Sequence, residues 1–238
     1  TNAITLSGTF GQATRYANFG LAANGQLSNN NASKETGEPS HAGNVGGSSV
    51  WFTWTPPVSG IATFSAPITS FNPFGSTNLI AVYTGFGQFG NTFFLNSVTN
   101  NNTTNGYPST VSFFAQANTT YSIAIDGYNA SGLPNRANTF NYSVAWSILT
   151  NDFFANPLVL VGSSAVNLTN SNVGATQEAG EPLHTADTNY PGGASVWFSW
   201  TAPLSGPATF NVSLFTNYFT QPYFAIYTGT NVTNLTLV

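Results

Sequence analysis

A long internal repeat constrains this chain more than any other feature. Residues 49–60 read SVWFTWTPPVSG and residues 195–206 read SVWFSWTAPLSG, so Trp51 and Trp197 recur at a spacing of 146 residues (197 − 51). Upstream, Glu35-Thr36-Gly37-Glu38-Pro39-Ser40-His41 matches Glu178-Ala179-Gly180-Glu181-Pro182-Leu183-His184. Downstream, AVYTG at 81–85 matches AIYTG at 225–229. The blocks keep their order, and the period is too long for a solenoid unit but suits a whole domain. Asn156 to Gly162 (NPLVLVG) also resembles Asn2 to Gly8 (NAITLSG). Two domains are therefore expected, a complete one over 1–150 and a second, incomplete one over 151–238.

The runs between turn-rich links alternate at period two, the mark of a half-buried strand. Val50, Phe52 and Trp54 share one face of such a run, with Trp51 on the other, and Val196, Phe198 and Trp200 repeat the pattern. Tyr121, Ile123 and Ile125 form another run, Val111, Phe113 and Ala115 a weaker one, and Phe140, Tyr142, Val144, Trp146 and Ile148 the longest. Apolar residues at helical spacing are missing. The expected fold is all-β: tandem antiparallel sandwiches of jelly-roll or immunoglobulin-like type, with a Gly/Asn-rich surface loop over about residues 11–30.

Copy 1 carries three strand-like runs past its AVYTG block, whereas the sequence of copy 2 reaches Val238 soon after its own. A sandwich without those strands exposes sheet edges and an apolar inner face. Either the native chain continues beyond Val238, or strands from a neighbouring subunit complete the domain by donor-strand complementation.

Charge narrows the partners. Only 4% of residues are Asp, Glu, Lys or Arg and the net charge is −4, against about 25% charged residues in ordinary soluble domains. Nucleic acid and anionic membranes require clusters of Lys and Arg, which are absent, and no apolar run is long enough to span a bilayer. A surface of Asn, Thr, Ser, Gln and Gly has little charge repulsion, so self-association is expected. There is no Cys, which excludes thiol catalysis and Cys-ligated metals. No basic segment followed by an apolar stretch opens the chain, so a signal peptide, if made, is expected to have been removed.

The acids concentrate in the two E-x-G-E-P motifs, each followed by a histidine. Glu35, Glu38, Glu178 and Glu181 are candidate calcium ligands, because carboxylates with turn carbonyls suit a hard cation. The alternative is a structural turn in which the Glu side chains cap backbone N–H groups, Pro fixes the chain and Gly supplies a positive φ. Glycoside hydrolysis needs an acid and a base on either side of a sugar, and two Glu three apart in a repeated turn argue for architecture instead. No G-x-S-x-G nucleophile elbow occurs. Trp51, Trp54, Trp146, Trp197 and Trp200 could stack carbohydrate, but aromatic residues also fill sandwich interiors. Trp51 and Trp197 must point away from the core that takes Phe52 and Phe198, so both are candidate interface residues.

In combination, E-x-G-E-P-x-H, S-V-W-F-x-W-T-x-P-x-S-G, A-V-Y-T-G and the T-Y-S-I-A-I-D-G run at 120–127 resemble the pre-peptidase C-terminal β-sandwich domains of secreted bacterial proteins. The resemblance implies an extracellular accessory module, often in tandem, without catalysis of its own. The family commonly carries acids before and after its Y-T-G strand; here those stretches read Gly75-Ser-Thr-Asn78 and Thr99-Asn-Asn-Asn-Thr103. The sequence thus leads to a non-catalytic, cofactor-free structural subunit of an extracellular filament, sheath or adhesive cell-surface layer. The alternative is a carbohydrate- or calcium-binding spacer of a larger secreted enzyme or adhesin.

Overall fold

Period-two alternation becomes strands wherever it can bury one face, and the computed structural model is all-β. It describes residues 3–13, 27–69, 77–89, 92–103, 109–132, 137–162, 168, 170–185, 192–213 and 223–238. Among these the only helical segment is a single 3-10 turn, Val232–Asn234. The chain divides into unit 1, Thr1–Ile148, and unit 2, Leu149–Val238.

In unit 1, β1 (Ile4–Leu6), β4 (Val50–Trp54), β9 (Tyr121–Gly127), β6 (Asn78–Phe89) and β7 (Thr92–Thr103) form one sheet in the order β1-β4-β9-β6-β7. The facing sheet has the order β2-β11-β5-β8, from β2 (Phe10–Ala13), β11 (Val144–Leu149), β5 (Gly60–Ala66) and β8 (Ser109–Ala115). A small pair joins β3 (Leu27–Ser28) to β10 (Asn141–Tyr142). Between the two sheets lies a core containing Phe52, Trp54, Phe64, Ile80, Val82, Ile123, Ile125, Tyr142 and Val144. Trp54 meets Phe64 edge-on across it at 5.1 Å. Aromatic pairs in this geometry add about 0.5–1.5 kcal/mol beyond their buried area.

In unit 1 the antiparallel expectation fails at one place. β1 runs parallel to β4, pairing Ile4 with Phe52 and Leu6 with Trp54. A parallel neighbour needs a long crossover, and the chain between Leu6 and Val50 supplies it. Residues 11–30 also hold more than the expected surface loop. Phe10–Ala13 and Leu27–Ser28 are strands, and residues 14–26 lie outside the described residues. The run from Phe140 to Ile148 keeps its large residues toward the core but breaks at Ser143, whose amide bonds the Pro67 carbonyl. The chain thereby passes from β3 to pair with β2. Trp146 packs over Gly11, where an added Cβ would sit 2.4 Å from the indole, so that position is held to glycine by close approach.

Unit 2 repeats the local geometry. β12 (Leu158–Leu160) runs parallel to β13 (Phe198–Trp200), with Leu158 opposite Phe198 and Leu160 opposite Trp200. The Trp200 indole N–H donates to the Gly162 carbonyl at 3.0 Å, as Trp54 does to Gly8 at 3.0 Å. A second pair joins β14 (Tyr227–Thr228) to β15 (Thr236–Leu237). Among the described residues β13 pairs only with β12, and β14 only with β15.

Candidate functional site

The E-x-G-E-P-x-H segments fold as tight turns on the outer face of the sheet, not in the core. The Glu38 amide bonds the Glu35 carbonyl at 3.1 Å, and Gly37 takes φ +85°. In unit 2 the Glu181 amide bonds Glu178 at 3.1 Å, with Gly180 at φ +82°. A left-handed residue closing such a turn favours glycine, which has no Cβ to clash.

The second glutamate of each motif accepts hydrogen bonds from its own turn and from the histidine that follows. Glu38 Oε2 takes the Glu35 amide at 2.9 Å; Oε1 takes His41 Nε2 at 2.8 Å and the Trp51 indole N–H at 3.3 Å. Glu181 Oε2 takes the Glu178 amide at 2.8 Å and its Oε1 takes His184 Nε2 at 2.6 Å. Burial alone would raise the Glu38 pKa, but the bonds from His41 and the Glu35 amide outweigh it and hold the carboxyl below its ordinary value. Glu178 Oε2 accepts from the Phe154 amide at 2.6 Å, while Glu35 Oε2 is buried without a hydrogen-bond partner. The bonded oxygens of Glu38, Glu178 and Glu181 thus all face N–H groups. Among the described residues no three His, Cys, Asp or Glu side chains gather as a metal-binding set.

The histidine links each turn to a tyrosine from the Y-T-G block. His41 Nδ1 lies 2.8 Å from the Tyr83 hydroxyl. In the tautomer that gives Nε2–H to the carboxylate, Nδ1 is the acceptor for the phenolic proton. Burial, then the charges of Glu38 and Asp126, push the Tyr83 hydroxyl up to about 12. His184 Nδ1 lies 3.1 Å from the Tyr227 hydroxyl, which also donates to the Leu183 carbonyl at 3.2 Å. Burial and then Glu181 raise the Tyr227 pKa too.

Trp51 and Trp197 close these clusters. Each meets its histidine edge-on, at 5.3 Å for His41 and 5.4 Å for His184. Trp51 also stacks near Phe93 at 6.3 Å, and Trp197 meets Phe154 at 5.0 Å. In each unit, then, the chain's own turn and aromatic residues pack on the indole proposed from sequence as an interface. The reason is local: the motif folds back over the residue that the strand pleat turns outward. Trp54 is fully buried, so it presents no stacking face.

A further acid went unassigned in the sequence. Asp126, fully buried at the end of β9, accepts the amides of Gly47 at 3.1 Å, Ser48 at 2.8 Å and Gly127 at 2.7 Å. Its Oδ2 lies 4.0 Å from His41 Nε2. The signals were the Gly-Gly-Ser run before the S-V-W-F block and the Asp-Gly ending β9, but only the fold brings them together. Chemically, this is a clasp. His41 is fully buried with both ring nitrogens engaged, so it fixes the loop to the sheet and offers no nitrogen to solvent.

No family model and no curated protein matches the chain. Among solved structures, the periplasmic inhibitor of g-type lysozyme from Aeromonas hydrophila is similar at 14% identity and a TM-score of 0.32, over 62% of this chain and 96% of that one. The Yersinia pseudotuberculosis-derived mitogen is similar at 16% identity and a TM-score of 0.23, over 45% of this chain and 90% of that one. Likeness this slight carries no inference about what the chain does.

Proposed function

We propose that the chain is a non-catalytic structural subunit of an extracellular assembly, a filament, sheath or adhesive layer, in which the apolar face of unit 2 is a surface for association. One observation carries the reading. Phe52 is fully buried in unit 1, whereas its counterpart in unit 2, Phe198, is 40% exposed, and Ile226, the counterpart of the buried Val82, is 39% exposed. An exposed apolar face beside unpaired strand edges favours association. The near absence of charge removes the usual electrostatic barrier to it. Light scattering after size exclusion and electron microscopy of the untreated protein test the reading. Concentration-dependent polymers are expected; a monodisperse monomer at high concentration overturns it.

A further inference from the structure

The stretch that joins the two repeats is not a free linker. Asn151 and Asp152, which follow β11 almost at once, are nearly fully buried. The Trp197 amide donates to the Asn151 carbonyl at 2.8 Å, and Asn151 Nδ2 donates back to the Trp197 carbonyl at 3.0 Å. Asp152 takes the Thr176 amide on one oxygen at 2.6 Å and the Thr176 hydroxyl on the other at 2.9 Å. Two residues on, the Phe154 amide donates to Glu178 Oε2 at 2.6 Å, and its ring meets Trp197 edge-on at 5.0 Å. The Asn156 amide then closes a turn on the Phe153 carbonyl at 2.9 Å, and the chain enters β12. Polar groups carried into the interior must find partners there. Asn151, Asp152 and Phe154 find theirs on the E-x-G-E-P segment and the Trp197 strand, two of them through charge-assisted bonds.

Unit 1 carries the same receiving groups. Ser33, Glu35 and Trp51 are the counterparts of Thr176, Glu178 and Trp197. The backbone leading into them is alike: the Ala32 amide bonds the Asn29 carbonyl at 3.1 Å, and the Ala175 amide bonds the Asn172 carbonyl at 3.0 Å. Ser33 is exposed and Trp51 half-buried. Glu35 Oε2, which matches the oxygen that takes the Phe154 amide, is buried without a hydrogen-bond partner. A carboxylate oxygen in that state is costly unless a donor reaches it. Asn2 to Gly8 resembles Asn156 to Gly162, so a donor placed as Phe154 is would stand directly ahead of Thr1.

We infer that residues 151–156 are a strap belonging to unit 2, and that unit 1 carries a matching subsite for a strap of the same chemistry. The occupant is an extended segment of the same polypeptide, with Asp and Phe two residues apart, running directly into β1. Its Asp takes the amide and hydroxyl of Ser33, its Phe amide satisfies Glu35 Oε2, and the Phe ring packs on Trp51. Hydrogen exchange in the full chain tests both halves. Asp152→Asn combined with Phe154→Ala should speed exchange over 176–181 about ten-fold and leave unit 1 unchanged. The segment TNDFF, copied from 150–154 and joined directly ahead of Thr1, should slow exchange at the amides of Ser33, Glu35 and Glu38 about ten-fold. Glu35→Gln in the extended chain should lose most of that protection, because the bond to the Phe amide loses its charge. The same extension with alanine for its Asp and second Phe should give none. The inference is overturned if TNDFF leaves Ser33 and Glu35 unprotected, or if the alanine extension protects as well as the parent. A double variant that exchanges like the parent over 176–181 overturns it equally, since the segment would then be a passive linker. Neither readout involves polymers, so this inference and the assembly reading stand or fall separately.

Discussion

In unit 1 the Glu38–His41–Tyr83–Trp51 clasp lies over a finished sheet, and beneath that sheet the core is sealed. In unit 2 the Glu181–His184–Tyr227–Trp197 clasp keeps nearly the same bonds, yet Phe198, Phe224 and Ile226 on the opposite face are open. The clasp is thus an independent local structure: a short turn and two residues of the sheet satisfy one another whether or not the core behind them is filled. It fixes where strands stand before every strand is present.

Substitutions at matched positions test this contrast, with hydrogen exchange resolving the two units in one chain. Phe52→Ala should cost unit 1 about 3–5 kcal/mol, the usual loss for a buried aromatic residue. Phe198→Ala in the isolated chain should cost unit 2 under about 1 kcal/mol, since exposed substitutions remain small. Equal costs would mean that the face of unit 2 is covered in solution, and the contrast would collapse. His41→Leu leaves a buried carboxylate without its partner and should cost about 3 kcal/mol. His184→Leu, where the imidazole is 22% exposed, should cost roughly half as much.

Gly46→Ala should follow, at about 2 kcal/mol or more. Its Cβ would fall 1.7 Å from Asp126 Oδ2, so the carboxylate must move. Gly192→Ala meets nothing within 4 Å and should show only the strain of a left-handed alanine, about 1 kcal/mol. Urea unfolding of each variant measures both.

The smallest effect is on pH. The Tyr83 pKa is raised by folding, so its contribution is full below the ordinary value of 10 and is lost as pH rises toward about 12. Unit 1 should weaken across that window, and Tyr83→Phe should flatten the slope while costing about 1 kcal/mol at neutral pH for the lost hydrogen bond. A slope unchanged in Tyr83→Phe would place the alkaline sensitivity elsewhere.

How much of this was legible in the sequence depended on distance along the chain. Strands such as Tyr121–Gly127 and Val50–Trp54 announce themselves by alternation within a few residues. The E-x-G-E-P turn was legible as one of two readings, and the amide of Glu35 on Glu38 follows the capping geometry. What local pattern does not carry is register between remote segments. The parallel pairing of Ile4 with Phe52 and the Gly47 amide on Asp126 arise only when distant strands align. Tyr83 was visible only as part of a recurring block, since nothing nearby in sequence names its partner. Trp51 shows the same limit: the pleat turns it outward, but the turn that packs on it comes from earlier in the chain.

The position of β9 also dictates the order in which unit 1 can be built. This central strand is read out late, after both strands that flank it. Until residues 121–127 leave the ribosome or a secretion channel, the nascent chain can have β4 and β6 available but nothing to join them. Pairing across such sequence separations is slow, and the waiting intermediate exposes apolar surface to its neighbours. Closure is then a late insertion into the middle of a sheet rather than growth at its rim. Unit 1 folding should therefore show a lag set by the arrival of those seven residues, and a molecule stalled before them would display the same open face that unit 2 shows at rest.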